Sequence, residues 1–387
     1  MEKQSRELPE YFNNLHILRG LTALYVVIYH AKFILWCGGN EYIKAFPRDK
    51  WSFGDYLTFA SDIFTSAGFE MVLVFFILSG FFIAKSFDKN NWAVKDFYLN
   101  RIVRIYPPYL FSLLFSIVIL LLIGQINPDL FSGAIPFERN QRLKVAYENL
   151  NVESVAFSLI FISTKEYIGM NMVYWSLLIE AVFYIIIPFV VGRPVSYFVF
   201  SFVCVILLRY TPWTYFTFFS EFSIYFALGV LIYKYKDNSG VSTIIKKYKW
   251  PLLILIIILI FSVVVLGTLK LKYYSGLAVA LLSLSTIFFL LKIQLPEGWL
   301  LKRLRFLGEI SYSLYLSHFP VLLLLYAIIT KYTGVYNFYT RIYWTAIPIT
   351  LLVAYCCYWA VEKRTKQVTS VFLNKRTMRL EVDEIKK

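Results

Sequence analysis

Two residues in the first apolar stretch have the types and spacing of a reaction centre. The stretch reads Leu15-His-Ile-Leu-Arg19 and continues to Ile28-Tyr-His30. On a helix, eleven residues advance about 16 Å and close to three turns, so Arg19 and His30 share a face at different depths. A guanidinium near one end suits a phosphate group. An imidazole further in suits a general base. The bland alternatives are an arginine that snorkels to the lipid headgroups and a histidine that is hydrogen-bonded in the interior.

Other polar groups interrupt apolar runs in the same way. Glu180 ends the run Trp175-Ser-Leu-Leu-Ile-Glu180, where a carboxylate must be paired or protonated. It has three open uses: to orient His30, to pair with an arginine such as Arg19, or to take a proton itself. Arg101 and Arg104 sit at i, i+3 on one helix face, ahead of Pro107-Pro108, which are expected to end or break that helix. Two guanidiniums so placed suit a polyphosphate, with positive-inside anchoring as the simpler reading. Ser79-Gly80 reads as a close helix-packing pair rather than a nucleophile, because no base neighbours it in sequence. Glu309, Ser311, Tyr312, Tyr315 and His318 crowd one segment, whose bland reading is interhelical hydrogen bonding. Glu362 is read as a cap or as a partner of its basic neighbours.

The elements that must position these groups are membrane helices. Of 387 residues, 59% are hydrophobic and only 16% are charged, which excludes a soluble globular enzyme and a disordered chain. A span needs about 20 apolar residues. Ten candidate runs are present, near 14–36, 64–86, 107–124, 172–191, 195–210, 215–234, 251–269, 273–292, 308–330 and 341–361. The expected fold is therefore an all-α, polytopic transmembrane helix bundle. Val152–Ser163 is apolar but short, and reads as a re-entrant or interfacial helix. With the N-terminus inside, 25 of the 39 Lys and Arg residues fall on the cytoplasmic side and 12 on the other, so both termini are expected to be cytoplasmic. The chain reads as one membrane domain, residues 1–368, with a basic and acidic cytoplasmic tail over 369–387. Met1–Glu10 carries no cleavable signal pattern. The net charge of +15 lies mainly in loops, without a nucleic-acid motif, so the bilayer is the expected partner and nucleic acid is not. Cys37, Cys204, Cys356 and Cys357 form no CxxC pair, and neither a disulfide framework nor a metal site is expected.

Taken in order, these segments resemble the acyltransferase-3 family of integral membrane O-acyltransferases, which modify surface polysaccharides and related glycans. The resemblance rests on Arg19 with His30, Phe75-Phe-Ile-Leu-Ser79-Gly80-Phe81, Arg101-Ile-Val-Arg104-Ile-Tyr-Pro107, Trp175-Ser-Leu-Leu-Ile-Glu180, Phe226-Ala-Leu-Gly229, Gly308-Glu-Ile-Ser311-Tyr312-Ser-Leu-Tyr315-Leu-Ser-His318 and Val361-Glu362-Lys. Each motif is weak alone, but all seven occur in family order. One departure is Arg364, where the family usually has proline.

The resemblance implies about ten membrane helices in a bacterial inner membrane. It implies an acyl-CoA donor taken from the cytoplasm, acetyl-CoA by default, and no permanently bound cofactor. The acceptor would be a hydroxyl of a cell-surface glycan or a lipid-linked saccharide. Carried over, His30, Arg19 and Glu180 are catalytic, while Arg19, Arg101 and Arg104 bind the coenzyme A phosphates. Trp175, Ser311, Tyr312, Tyr315 and His318 are candidate substrate contacts. Some relatives carry a fused extracytoplasmic esterase-like domain, for which this chain is too short. The rival reading is a transporter or flippase for a lipid-linked glycan or acyl group. Intramembrane Arg, His and Glu also mark transport paths, although no inverted repeat is visible.

Overall fold

The computed structural model describes residues 11–88, 94–208, 214–293, 295 and 297–368. The proposed tail over 369–387 and the segment Met1–Glu10 lie outside the described residues. The described residues are all-helical, without strands. In chain order the helices are α1 (Tyr11–Leu35), α2 (Gly39–Ala45), α3 (Phe53–Phe64), α4 (Gly68–Asp88), α5 (Val94–Ile126), α6 (Glu138–Glu148), α7 (Val152–Ser158) and α8 (Tyr174–Val190). They continue as α9 (Pro194–Leu208), α10 (Thr214–Tyr235), α11 (Ser239–Lys247), α12 (Lys249–Thr268), α13 (Lys272–Lys292), α14 (Trp299–Glu309), α15 (Ser311–Thr333) and α16 (Tyr343–Cys357).

Each of the ten apolar runs falls on a helix. Among the described residues, seven helices are long and apolar enough to cross a membrane: those within Asn14–Leu35, Gly68–Asp88, Val94–Ile126, Lys249–Thr268, Lys272–Lys292, Ser311–Thr333 and Tyr343–Val368. Tyr174–Val190 and Pro194–Leu207 are apolar but shorter. The segment read as re-entrant or interfacial contains only the seven-residue α7, opened by a capping box in which Asn151 Oδ1 accepts the Ser154 N–H at 2.8 Å.

The expected helix break at Pro107-Pro108 is not found. Both prolines lie inside α5, which runs unbroken over 33 residues. They remove the N–H groups that would reach the Val103 and Arg104 carbonyls. Prolines are tolerated in membrane helices that pack against neighbours, and α5 is held there on α15, where the Tyr312 hydroxyl donates to the Ile105 carbonyl at 3.1 Å. Arg101 and Arg104 therefore lie on the same continuous helix as the apolar run that follows them.

The described helices pack as two compact units interleaved along the chain. Of the described residues, the first contains those within 11–88, 179–311 and 337–344; the second contains those within 94–178, 312–336 and 345–368.

The first unit is built on two glycine crossings. A Cβ on Gly308 would stand 1.9 Å from the His16 carbonyl oxygen, and one on Gly20 would stand 2.6 Å from the Gly308 nitrogen. Helices α1 and α14 thus meet backbone to backbone. Likewise a Cβ on Gly229 would come 1.9 Å from the Ile77 carbonyl oxygen, and one on Gly80 would come 2.1 Å from that of Phe226. This is the close packing expected of Ser79-Gly80. The start of α1 is further tied to α13, where Asn14 donates to the Leu290 and Ile293 carbonyls at 3.1 and 3.0 Å.

The second unit centres on α5, α15 and α16. Ser112 and Ser116 of α5 share hydrogen bonds with the Tyr174 hydroxyl at 2.8 and 3.0 Å, and Ser112 also donates to the Leu316 carbonyl at 3.0 Å. Asn171 donates to that same carbonyl at 3.0 Å. A π-turn over Tyr358–Glu362 interrupts the helix that begins with α16 and runs on to Val368. It brings the buried Glu362 carboxylate onto the first turn of α15, where it accepts the Ser313 N–H and hydroxyl at 3.1 and 2.6 Å. A carboxylate is favoured there by the exposed N–H groups and dipole of a helix start. Lys366 closes the group at 2.7 Å, so Glu362 both caps a helix and pairs with a basic neighbour. Outside the spans, Arg142 grips Glu166 through two bonds of 2.7 and 3.0 Å. That hydrogen bonding holds the Arg142 pKa above its ordinary value.

The glycine crossings make a direct prediction. Gly308→Ala or Gly229→Ala forces two backbones apart and lowers the apparent Tm of the detergent-solubilised protein by about 5–10 °C. Gly298→Ala, where nothing lies within 4 Å of the added carbon, leaves it unchanged. Thermal unfolding followed by size-exclusion chromatography checks both.

Candidate active site

Helix α1 carries Arg19 and His30 without interruption, so the eleven-residue spacing places them on one face about 16 Å apart along the axis. Both are half-buried. Arg19 immediately precedes Gly20 at the α14 crossing, so its position is fixed by the closest backbone contact in that part of the unit. The His30 ring packs edge-on against Tyr29, with centroids 5.4 Å apart. Tyr29 in turn lies against Gly68, where a Cβ would meet the ring at 2.2 Å. The glycine that opens α4 therefore makes room for the aromatic side chain beside His30.

Glu180 lies in the same unit, on α8. The hydrogen bonds to its carboxylate come from two hydroxyls, Ser79 of α4 at 2.8 Å and Tyr184 one turn further along α8. The structure thus joins Glu180 to Ser79, which the sequence left as a packing residue, rather than to His30 or Arg19. The partners are 101 residues apart in sequence, so only the fold brings them together.

Near the C-terminal end of α1 lies a charged group that the sequence reading passed over. Lys32 is buried and donates to the Asp62 carbonyl and to Ser66 Oγ, the latter at 2.9 Å. The Asp62 carboxylate is buried too, and it accepts Arg341 Nε at 2.9 Å together with the Tyr343 hydroxyl. The one available signal was Lys32 itself, a charge inside an apolar run two residues beyond His30. Its partners come from the end of α3 and the residues just after it, and Asp62's own partner Arg341 from the segment before α16, none of which a local pattern connects to it. Ser311 of the ninth run donates to the Gly308 carbonyl at 2.8 Å and so closes the end of α14.

The remaining candidates belong to the second unit. Arg101 is buried, with its guanidinium carbon 5.4 Å from the Phe97 ring centroid. Arg104 is half-buried. Tyr315 shares a 2.7 Å hydrogen bond with Ser176 and donates to the Val173 carbonyl at 3.3 Å. Tyr312 is held on Ile105, as described above. His318 is fully buried, with Nδ1 2.9 Å from the Leu314 carbonyl and its ring 6.0 Å from that of Tyr315. Trp175, half-buried, neighbours Ser176 in the first turn of α8.

The first unit holds a guanidinium, an imidazole and a carboxylate within apolar helices, and the second holds two guanidiniums of a kind that binds phosphate. Helices of this length and hydropathy define a multi-pass membrane protein. The family model described as an acyltransferase domain, acyltransferase-3, matches residues 12–360, and the chain belongs to that family. It is a membrane acyltransferase. No curated protein and no solved structure matches the chain.

Asp62 makes a test of the α1 end. Asp62 is buried while Arg341 is partly exposed, so Asp62→Ala removes a charged hydrogen-bonded acceptor from Arg341 and Tyr343 and lowers stability by about 1.5–3 kcal/mol. A double-mutant cycle with Arg341→Ala in chemical unfolding recovers most of the loss if the pair acts as a unit.

Proposed function

We propose that this protein transfers an acyl group, acetyl by default, from cytoplasmic acyl-CoA to a hydroxyl of a cell-surface glycan or its lipid-linked precursor, in a bacterial inner membrane. Both termini lie on the cytoplasmic side. His30 acts as general base on the acceptor hydroxyl, whose oxygen attacks the thioester carbonyl as the coenzyme A thiolate leaves. The proton taken by His30 then passes to that thiolate. Arg19, Arg101 and Arg104 bind the donor phosphates, Glu180 supports the site, and Trp175, Ser311, Tyr312, Tyr315 and His318 line the substrate path.

The observation that carries this reading is the family match over nearly the whole chain, combined with Arg19 and His30 on one face of one unbroken helix. Coenzyme A carries phosphates at one end and the reactive thioester at the other. A guanidinium and an imidazole about three turns apart on a helix face suit those two ends.

Membranes containing the wild-type protein are expected to turn over labelled acetyl-CoA. His30→Ala at equal expression is expected to lose roughly 10²–10⁴-fold of that rate. Substrate movement without acetyl-CoA consumption would favour transport instead. Arg101→Ala with Arg104→Ala should raise the acetyl-CoA KM with little change in kcat if the pair binds donor uniformly. An unchanged donor KM removes that assignment.

A further inference from the structure

The Glu180 carboxylate is unevenly satisfied. Both hydroxyls, Ser79 Oγ at 2.8 Å and the Tyr184 phenol, converge on the same oxygen, Oε1. Among the described residues no donor reaches Oε2. A carboxylate offers about four lone-pair sites over its two oxygens. The two protein donors fill sites on one oxygen only. The group is also half-buried rather than sealed, so a ligand can approach it.

The surroundings fix this carboxylate firmly. One turn from Ser79 lies Phe76, and one turn from Glu180 lies Phe183, with the two rings edge to face at 5.8 Å. Phe183 stacks on Phe226 of α10 at 4.6 Å. The Gly80 and Gly229 crossing locks α4 against α10 beside this aromatic layer. The carboxylate therefore has one oxygen held and one presented, on α8 beside an α4 that the glycine crossing locks to α10. Its partners are neutral hydroxyls, with no Lys or Arg among them. Oε2 therefore suits a hydrogen-bond donor and would repel an anionic phosphate.

We propose that Glu180 Oε2 orients the acyl acceptor by taking a hydrogen bond from a neutral hydroxyl of a polyol or saccharide, with Ser79 and Tyr184 as positioning residues that hold the carboxylate by Oε1. This rests on the acyltransferase reading above and assigns the acceptor end of that site. The hydroxyl bound by Glu180 is a neighbour of the one that is acylated, whose proton His30 takes.

The test titrates the saccharide fraction extracted from the host cell surface against fixed labelled acetyl-CoA, and then the reverse. A hydrogen bond to a charged group corresponds to roughly 10- to 100-fold in affinity. Glu180→Gln is expected to raise the acceptor KM by about that factor and leave the acetyl-CoA KM unchanged. Ser79→Ala with Tyr184→Phe keeps the carboxylate but frees it, and gives a smaller rise in the same constant. Ser79→Thr retains the donor and restores the acceptor KM towards wild type, which a purely steric role for Ser79 does not predict.

A labelling arm needs no turnover. A hydrophobic carbodiimide modifies the Glu180 carboxyl of the wild-type protein in membranes, and the saccharide fraction protects it while acetyl-CoA alone does not. A rise in the acetyl-CoA KM instead, or protection by acetyl-CoA, overturns the proposal by assigning the carboxylate to the donor. Unchanged constants in Glu180→Gln also overturn it. Absence of any acetyl-CoA turnover by wild type, with saccharide protection intact, counts against the acyltransferase reading and leaves the hydroxyl-binding site standing.

Discussion

Backbone contact at glycine is the constraint on which the first unit depends. In lipid, apolar side chains gain little by leaving one another for the bilayer, so helices hold together through close packing and a few polar bonds. Gly20 against Gly308 and Gly80 against Gly229 supply that closeness. Each glycine pair lies beside a candidate functional residue: Arg19 precedes Gly20, and Ser79 precedes Gly80. The glycines bring the backbones together, and the adjoining side chains are carried to defined places. An added methyl at any of the four collides with backbone, which cannot move aside as a flexible side chain would.

Polar groups provide the second kind of tie, and each is nearly self-contained. Asp62 gathers Arg341 and Tyr343, while Lys32 bonds to the Asp62 carbonyl rather than to its carboxylate. Glu362 caps α15 and holds Lys366. Ser112, Ser116, Asn171 and Tyr174 bond to one another and to the Leu316 carbonyl, while Asn171 Oδ1 stays buried without a hydrogen-bond partner among the described residues. The Glu180 carboxylate is half-buried and takes both of its protein donors on Oε1.

Much of the fold was legible from the chain because hydrophobic length is a strong signal in lipid. The ten runs all fall on helices, and the brief apolar segment after Asn151 is a short capped helix. Pro107-Pro108 misled, because a rule learnt from water overlooks how packing against neighbouring helices lets a membrane helix carry proline. For the site, the spacing of Arg19 and His30 was readable because both lie on α1. The joining of Ser79 to Glu180, or of Asp62 to Arg341 across 279 residues, was not readable, because pairing between distant helices leaves no local pattern. The same holds for the division into two units, which is interleaved along the chain.

The central claim is that this one chain moves an acyl group from a thioester to a glycan. Its most direct test is proteoliposomes containing only the purified protein, supplied with labelled acetyl-CoA and the host saccharide fraction. Label in the saccharide, released by mild base as acetate, is the predicted result. Unlabelled saccharide with the acetyl-CoA intact, from protein that is folded and correctly inserted, would contradict it.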